Sequence, residues 1–175
     1  MSILKKLSLD DLTPTTLWSE LDVETRRAAA NSLYRGDWDD PAGRREADNA
    51  IAAAIRFRGA AVRKLPLEKR VDYLLRAVRP DDSMARSLLL ALHLDTRRGL
   101  LESFLDHLEI PQEGGMIDPD FELQPPTTER LAQAVEKLRE DHPDEEVDVY
   151  LASLLAMEPE TWIGLADLIG ETPTD

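Results

Sequence analysis

Histidine is the side chain best suited to acid–base catalysis near neutral pH, and the sequence contains only three: His93, His107 and His142. No two of them have the four-residue spacing that places both imidazoles on one face of a helix. His93 and His107 lie near the predicted ends of apolar helices, where packing and the helix dipole explain their presence. An enzyme with a metal or acid–base site near the histidines is therefore only an alternative hypothesis, and the sequence predicts no cofactor.

Two acidic strings, at residues 37–40 and 118–122, have a composition that calcium loops share. A calcium loop of the EF-hand type needs a glycine at its sixth position and a glutamate at its twelfth. The sixth positions here are Ala42 and Leu123, and Asp40 precedes a proline in the pattern of a helix N-cap. The strings are interpreted as turns and caps, and the sequence predicts no metal-binding or catalytic residue.

Motifs for covalent catalysis and for phosphate binding are missing from the sequence. The chain of 175 residues contains no cysteine, which excludes thiol catalysis, disulfide scaffolds and Cys-ligated zinc. It also contains no Gly-x-Ser-x-Gly elbow and no glycine-rich phosphate loop. These absences favour a protein that acts by binding rather than by catalysis.

Basic residues are concentrated between positions 56 and 79, where eight Lys and Arg accompany only two acids. Lys and Arg neutralise phosphates, and Phe57 and Tyr73 could stack on bases, so nucleic-acid binding through residues 56–79 is a second alternative. The sequence pI of about 4.6 argues against it. Arg63 and Lys64, in a predicted turn between helices, are instead candidate contacts to a protein partner.

The remaining candidate contacts are acidic or aromatic. Residues 1–80 have a net charge of +3 and residues 81–175 a net charge of −17, which is densest around Asp144, Glu145 and Glu146. Such a bipolar chain either neutralises itself on folding or presents each sign to a different partner. Trp38 lies in a polar loop, where it either anchors a partner or pins the loop to the protein.

Capping and stop signals predict individual helices. Asp22, Asp40 and Thr127 are predicted to cap helices, and Asp95 to cap the helix that begins at Thr96. The helix that follows Asp40 is rich in alanine, which predicts a central position, and it is expected to continue to about Arg58 and stop at Gly59. The last helix is expected to begin near Pro159, with Trp162 on its buried face.

Helical periodicity dominates the chain and predicts an all-α fold of about eight helices, in a compact bundle or a short stack of helical hairpins. A Pro- and Gly-rich loop at residues 111–126 divides a helical body, residues 1–110, from an acidic three-helix segment, residues 127–175, within one structural domain overall. Similar segments recur at offsets of 71 and 61 residues. Because solenoids keep a nearly constant period, unrelated amphipathic helices explain this better than a repeat array.

The longest apolar stretch, near residues 87–94, is far shorter than the roughly 18 residues that a membrane span needs. The N-terminus has no long apolar core, so a signal peptide is not expected. The leading hypothesis is a non-catalytic cytoplasmic interaction or regulatory module whose partner is another protein.

Overall fold

The all-α fold class is confirmed by the computed structural model of the protein, which describes residues 9–170. Within that range no helix is both long and apolar enough to cross a membrane. A 3-10 helix covers Leu9–Asp11, and the strands of one antiparallel hairpin are β1 Gln112–Glu113 and β2 Met116–Ile117. The described residues form ten α-helices: α1 Pro14–Glu20, α2 Val23–Arg35, α3 Pro41–Ile55, α4 Gly59–Arg63, α5 Leu67–Ala77, α6 Asp82–Thr96, α7 Arg98–His107, α8 Thr128–Asp141, α9 Asp144–Met157 and α10 Gly164–Gly170.

The helices group into two compact units. The contiguous unit comprises residues 21–96 and contains α2 to α6. The split unit comprises residues 9–20 and 97–170 of the described chain, and it contains α1, the hairpin and α7 to α10. Residues 111–126 lie inside the split unit, and the predicted division of the chain at that loop stays a prediction.

The contiguous unit is built around α3 and α6. Helix α2 packs against α5 and α6, and α3 contacts every other helix of the unit. Ala47, Ile51 and Ala52 of α3 are buried, and small residues on this face let neighbouring helices approach closely. The predicted central position of this Ala-rich helix is confirmed.

In the split unit, α9 packs against α1, α8 and α10. The centre of its core is aromatic: the Phe104 ring meets Tyr150 edge-on at 5.4 Å between centroids and Trp162 at 5.8 Å. Such pairs add stability beyond the apolar area they bury. Trp162 is 2% exposed, which confirms the prediction that it belongs to the core.

Three predicted helix starts are confirmed at the level of the capping hydrogen bond. Asp22 Oδ1 accepts from the Thr25 amide at 2.8 Å, and Asp40 Oδ1 accepts from the Gly43 amide at 2.7 Å. Thr127 caps α8 in the same way. Each side chain satisfies an amide that the helix itself leaves unpaired.

The predicted end of α3 is wrong. The stop signal predicts a helix that continues to Arg58 and stops at Gly59, whereas the helix in the structure ends at Ile55. Arg56 adopts the left-handed conformation, with φ of 57°, and terminates the helix where glycine is usual. Gly59 instead begins α4, a five-residue helix that the sequence pattern does not predict.

Two further boundaries differ from expectation. Helix α6 continues to Thr96, and Asp95, expected to cap the next helix, accepts a hydrogen bond from Ser32 Oγ at 2.8 Å. The last helix begins at Gly164 rather than near Pro159, after a series of turns. At Asp95 the tertiary hydrogen bond to Ser32 replaces the predicted local cap.

Candidate partner-binding surface

The basic residues of positions 56–79 lie in the contiguous unit, on α4, on α5 and in the connections around them. Seven of them are exposed, and none forms an ion pair with a carboxylate of residues 9–170. We call these seven the basic segment: Arg56, Arg58, Arg63, Lys64, Lys69, Arg76 and Arg79. Arg27 and Arg44 of the same unit do pair with acids, so the basic segment is distinguished by seven exposed cations without such a pair within 24 residues.

Short helices bring members of the basic segment close to one another. Arg63 is the last residue of α4 and Lys64 caps it, while Arg58 precedes its first turn. At about 1.5 Å per helical residue, the backbone from Arg58 to Lys64 spans about 9 Å. That distance is comparable to the Debye length of about 10 Å at 0.1 M salt, so these cations act on an anion together.

The turn before α4 is fixed by backbone hydrogen bonds. The Phe57 amide donates to the Ala52 carbonyl at 2.9 Å, which is possible because Arg56 is left-handed. The Arg58 carbonyl accepts from the amides of Ala61 and Val62. Phe57 is 52% exposed between two exposed arginines.

Arg70 belongs to the same stretch of sequence, but its side chain binds a buried carboxylate instead of facing solvent. Its Nε and Nη2 donate to Asp48 at 2.7–3.0 Å, and Tyr34 donates its hydroxyl to Asp48 Oδ1 at 3.0 Å. The guanidinium also lies 4.2 Å from the centre of the Tyr34 ring. Burial, together with the neighbouring carboxylate, raises the pKa of Tyr34, so the phenol stays protonated and remains a donor.

This Asp48 cluster (Tyr34, Asp48 and Arg70) is absent from the sequence prediction, although the sequence contains a signal for it. Asp48 lies three and four positions before the buried Ile51 and Ala52. A carboxylate on an apolar helix face must be paired, because an unpaired buried charge is costly. The Asp48 cluster connects three helices, because Tyr34 lies on α2, Asp48 on α3 and Arg70 on α5.

The predicted acidic residues lie in the first turn of α9, in the split unit. Asp144 and Glu145 are exposed and Glu146 is half-buried. Asp144 accepts from Arg139 at 2.9 Å, and the buried Asp148 accepts from the same guanidinium at 2.6 Å. Burial lowers the pKa of Arg139, but the hydrogen bonds to these two carboxylates outweigh it and the pKa is raised.

Trp38 lies between α2 and α3 in the contiguous unit and is half-buried. Its Nε1 is enclosed by protein and has no hydrogen-bond partner among the described residues. An inward nitrogen favours the interpretation that the ring pins its loop. The alternative, that Trp38 anchors a partner, stays a prediction.

The three histidines are divided between the two units. His93 is buried in α6 of the contiguous unit, whereas His107 and His142 belong to the split unit. His142 Nε2 lies 3.4 Å from Ser103 Oγ. Among residues 9–170, no group of three or more His, Asp or Glu side chains is arranged to hold a metal ion.

Two open grooves of the split unit are also without histidine. One, of about 210 Å³, is lined by residues 108–110, 121–127 and Arg130. The other, of about 610 Å³, follows the hairpin at residues 111–113 and 116–119. Their walls combine apolar and proline side chains with acids, glutamines, Thr127 and Arg130.

Charge separates along the same boundaries as the two units. The contiguous unit contains 14 Lys and Arg against 12 Asp and Glu, a net charge of +2. The described part of the split unit contains 5 against 21, a net charge of −16. The bipolar pattern seen in the sequence is therefore a difference between two structural units.

The described residues thus define an all-α protein of two compact helical units, one of which presents unpaired cations. Comparisons with protein-family models, with curated protein sequences and with solved structures found no match to this chain.

Proposed function

We propose that the protein is a non-catalytic cytoplasmic interaction module, and that its basic segment binds an acidic surface of a partner protein. The observation that carries the proposal is the exposure of seven cations, none of them paired with a carboxylate of residues 9–170. The absence of cysteine agrees with a cytoplasmic location.

The arrangement of the basic segment supports this proposal. Like charges within a Debye length repel one another, so grouping them is unfavourable for the isolated protein. The exposed Glu68 lies within this stretch of sequence, and the exposed Asp81 and Asp82 follow it, so the seven cations outnumber the acids near them. An acidic partner would replace the repulsion with attraction and would be drawn to the surface at low ionic strength.

The residues proposed to contribute most are Arg63 and Lys64, because they are adjacent and exposed at the end of α4. Asp144, Glu145 and Glu146 remain candidates for a second contact. Their exposure is ordinary for an acidic first turn, which the helix dipole favours. They therefore give the proposal less support than the basic segment does.

The test is the binding of a fluorescein-labelled peptide of about ten glutamates, measured by fluorescence anisotropy at about 50 mM and about 500 mM salt. Two reversals of exposed charges, in the double variant R63E/K64E, should weaken binding at low salt by about tenfold. High salt should weaken the wild type to a similar degree.

The matched control is R35E/R45E, which changes the net charge equally at two exposed arginines outside the basic segment. It should change the affinity by less than about twofold, because neither arginine belongs to the basic segment. Equal weakening by the two double variants would show that the peptide responds only to net charge, and the proposal would then be wrong.

A further inference from the structure

Phe57 is an exposed aromatic side chain in the middle of a run of cations. It is 52% exposed, and both of its neighbours, Arg56 and Arg58, are exposed as well. Single exposed apolar residues are common and need no explanation, and Val23 and Ile163 are more exposed still. What distinguishes Phe57 is its position within the basic segment and the fixed turn that carries it.

The turn is ordered from both sides. On one side, the Phe57 amide is bonded to the Ala52 carbonyl at 2.9 Å. On the other, the Arg58 carbonyl accepts the first amides of α4, and Val62 anchors that helix with a fully buried side chain. An aromatic ring on a fixed backbone has only two side-chain dihedrals left to order, so a contact to it costs little entropy.

The left-handed Arg56 supports a role for this turn. A left-handed conformation costs a residue with a side chain of order 1–2 kcal/mol, and glycine would avoid the cost. Arginine at this position places a further cation beside Phe57. The result is an apolar contact surrounded by charges, which resembles the apolar centre and polar rim of protein interfaces.

We infer that Phe57 is the apolar anchor of the basic segment, and that the partner contributes an acidic peptide segment with an apolar side chain among its carboxylates. This inference rests on the proposed function, because it assigns the chemistry of the partner at the same surface. The cations attract the carboxylates, and the Phe57 ring selects those segments that can cover it.

The experiment compares two labelled peptides of about ten residues with identical charge, both rich in glutamate, one with a central leucine and the other with a central serine. The wild type should bind the leucine peptide about tenfold more tightly, which corresponds to part of the free energy of burying one apolar side chain. F57S should abolish this preference, and F57L should retain most of it.

V23S is the matched control, because Val23 is an apolar residue of the contiguous unit that is about as exposed as Phe57, at 55% against 52%, but lies outside the basic segment. It should leave the preference for the leucine peptide unchanged. A similar loss in F57S and V23S would show that the peptide adheres to any exposed apolar residue, and would overturn the inference. Circular dichroism confirms that each variant keeps its helix content.

The outcomes separate this inference from the proposed function. Equal affinity of the wild type for both peptides, with both lost in R63E/K64E, would contradict the role of Phe57 and leave the proposed function standing. No binding of either peptide would contradict both. A ten-nucleotide thymidine strand that binds more tightly than the leucine peptide and depends on Phe57 would assign the surface to single-stranded nucleic acid and overturn the inference.

Discussion

The two units each bury one aspartate against an arginine, but they do so differently. In the contiguous unit, Asp48 accepts from Arg70, whose side chain is only 18% exposed. In the split unit, Asp148 accepts from Arg139, whose side chain is 35% exposed and also pairs with the exposed Asp144. The first carboxylate is enclosed with its partners, whereas the second is held by a cation at the surface.

The two aspartates are paired differently because the two units contain different ratios of cations to acids. The described part of the split unit has 5 cations for 21 acids, so one arginine serves two carboxylates and the excess acids face solvent. The contiguous unit is nearly balanced, yet it leaves seven cations grouped and unpaired with described carboxylates. Segregation of charge within a unit, rather than net charge, identifies the surface that we propose for binding.

The largest effect is expected for D48A. It removes the acceptor of both Arg70 and the Tyr34 hydroxyl and leaves a mostly buried cation without its partner. Breaking a buried ion pair in this way typically costs about 3–5 kcal/mol. Urea unfolding followed by circular dichroism measures the loss, and a loss below about 1 kcal/mol would show that the cluster is not enclosed as described.

The corresponding change in the split unit, D148A, should cost less, about 1.5–3 kcal/mol by the same measurement. Arg139 is more exposed than Arg70 and keeps Asp144 as a partner, so its charge stays solvated and paired. The comparison between the units would be wrong if D148A destabilised the protein as much as D48A does.

A smaller effect of opposite sign is expected for R56G. Glycine adopts the left-handed conformation without strain, so the free energy of unfolding should rise by up to about 1 kcal/mol. The control is R45G, at an exposed position inside α3, where glycine should lower stability by about 1 kcal/mol. If the free energy of unfolding fell equally in R56G and R45G, the backbone strain assigned to Arg56 would be contradicted.

The smallest change in stability is expected when a helix cap is removed. The loss should depend on pH for the Asp22 cap of the contiguous unit but not for the Thr127 cap of the split unit. The side-chain hydrogen bond from Thr25, followed by its amide, holds the pKa of Asp22 below the ordinary value of 3.8. The carboxylate therefore stabilises the fold above pH 3.8, and this contribution disappears as the pH falls through the lower folded-state pKa. Accordingly, D22A should cost about 1 kcal/mol at neutral pH and less in acid.

The neutral cap of the split unit provides the control. Thr127 accepts from the Arg130 amide at 3.4 Å through a hydroxyl that does not titrate in this range. T127A should therefore cost about 0.5–1 kcal/mol at every pH at which the protein is folded. Thermal unfolding of both variants between pH 7 and acid measures the difference, and parallel pH profiles would contradict the assignment to Asp22.

Local signals in the sequence predicted those features that depend on neighbouring residues. The caps Asp22, Asp40 and Thr127 and the core position of Trp162 follow from spacing alone, and the structure confirms them. The all-α fold follows from the helical period.

Features that depend on distant residues were not predicted. The pairing of Asp48 with Arg70 joins two helices across 22 residues, and no local pattern encodes it. Arg56 ends α3 although Gly59 gave the stronger stop signal, and Gly59 instead begins α4. The basic stretch was visible, but only the fold separates Arg70 from the exposed cations around it.

Whether the basic segment binds acidic partners is tested by locating a bound acidic peptide by NMR. The glutamate peptide is titrated into the isotope-labelled full chain at low salt, and the shifts of backbone amide signals are followed. If the basic segment binds the peptide, the largest shifts fall within residues 56–79, centred on Phe57, Arg63 and Lys64. Shifts centred on the split unit, or spread evenly over both units, would contradict it.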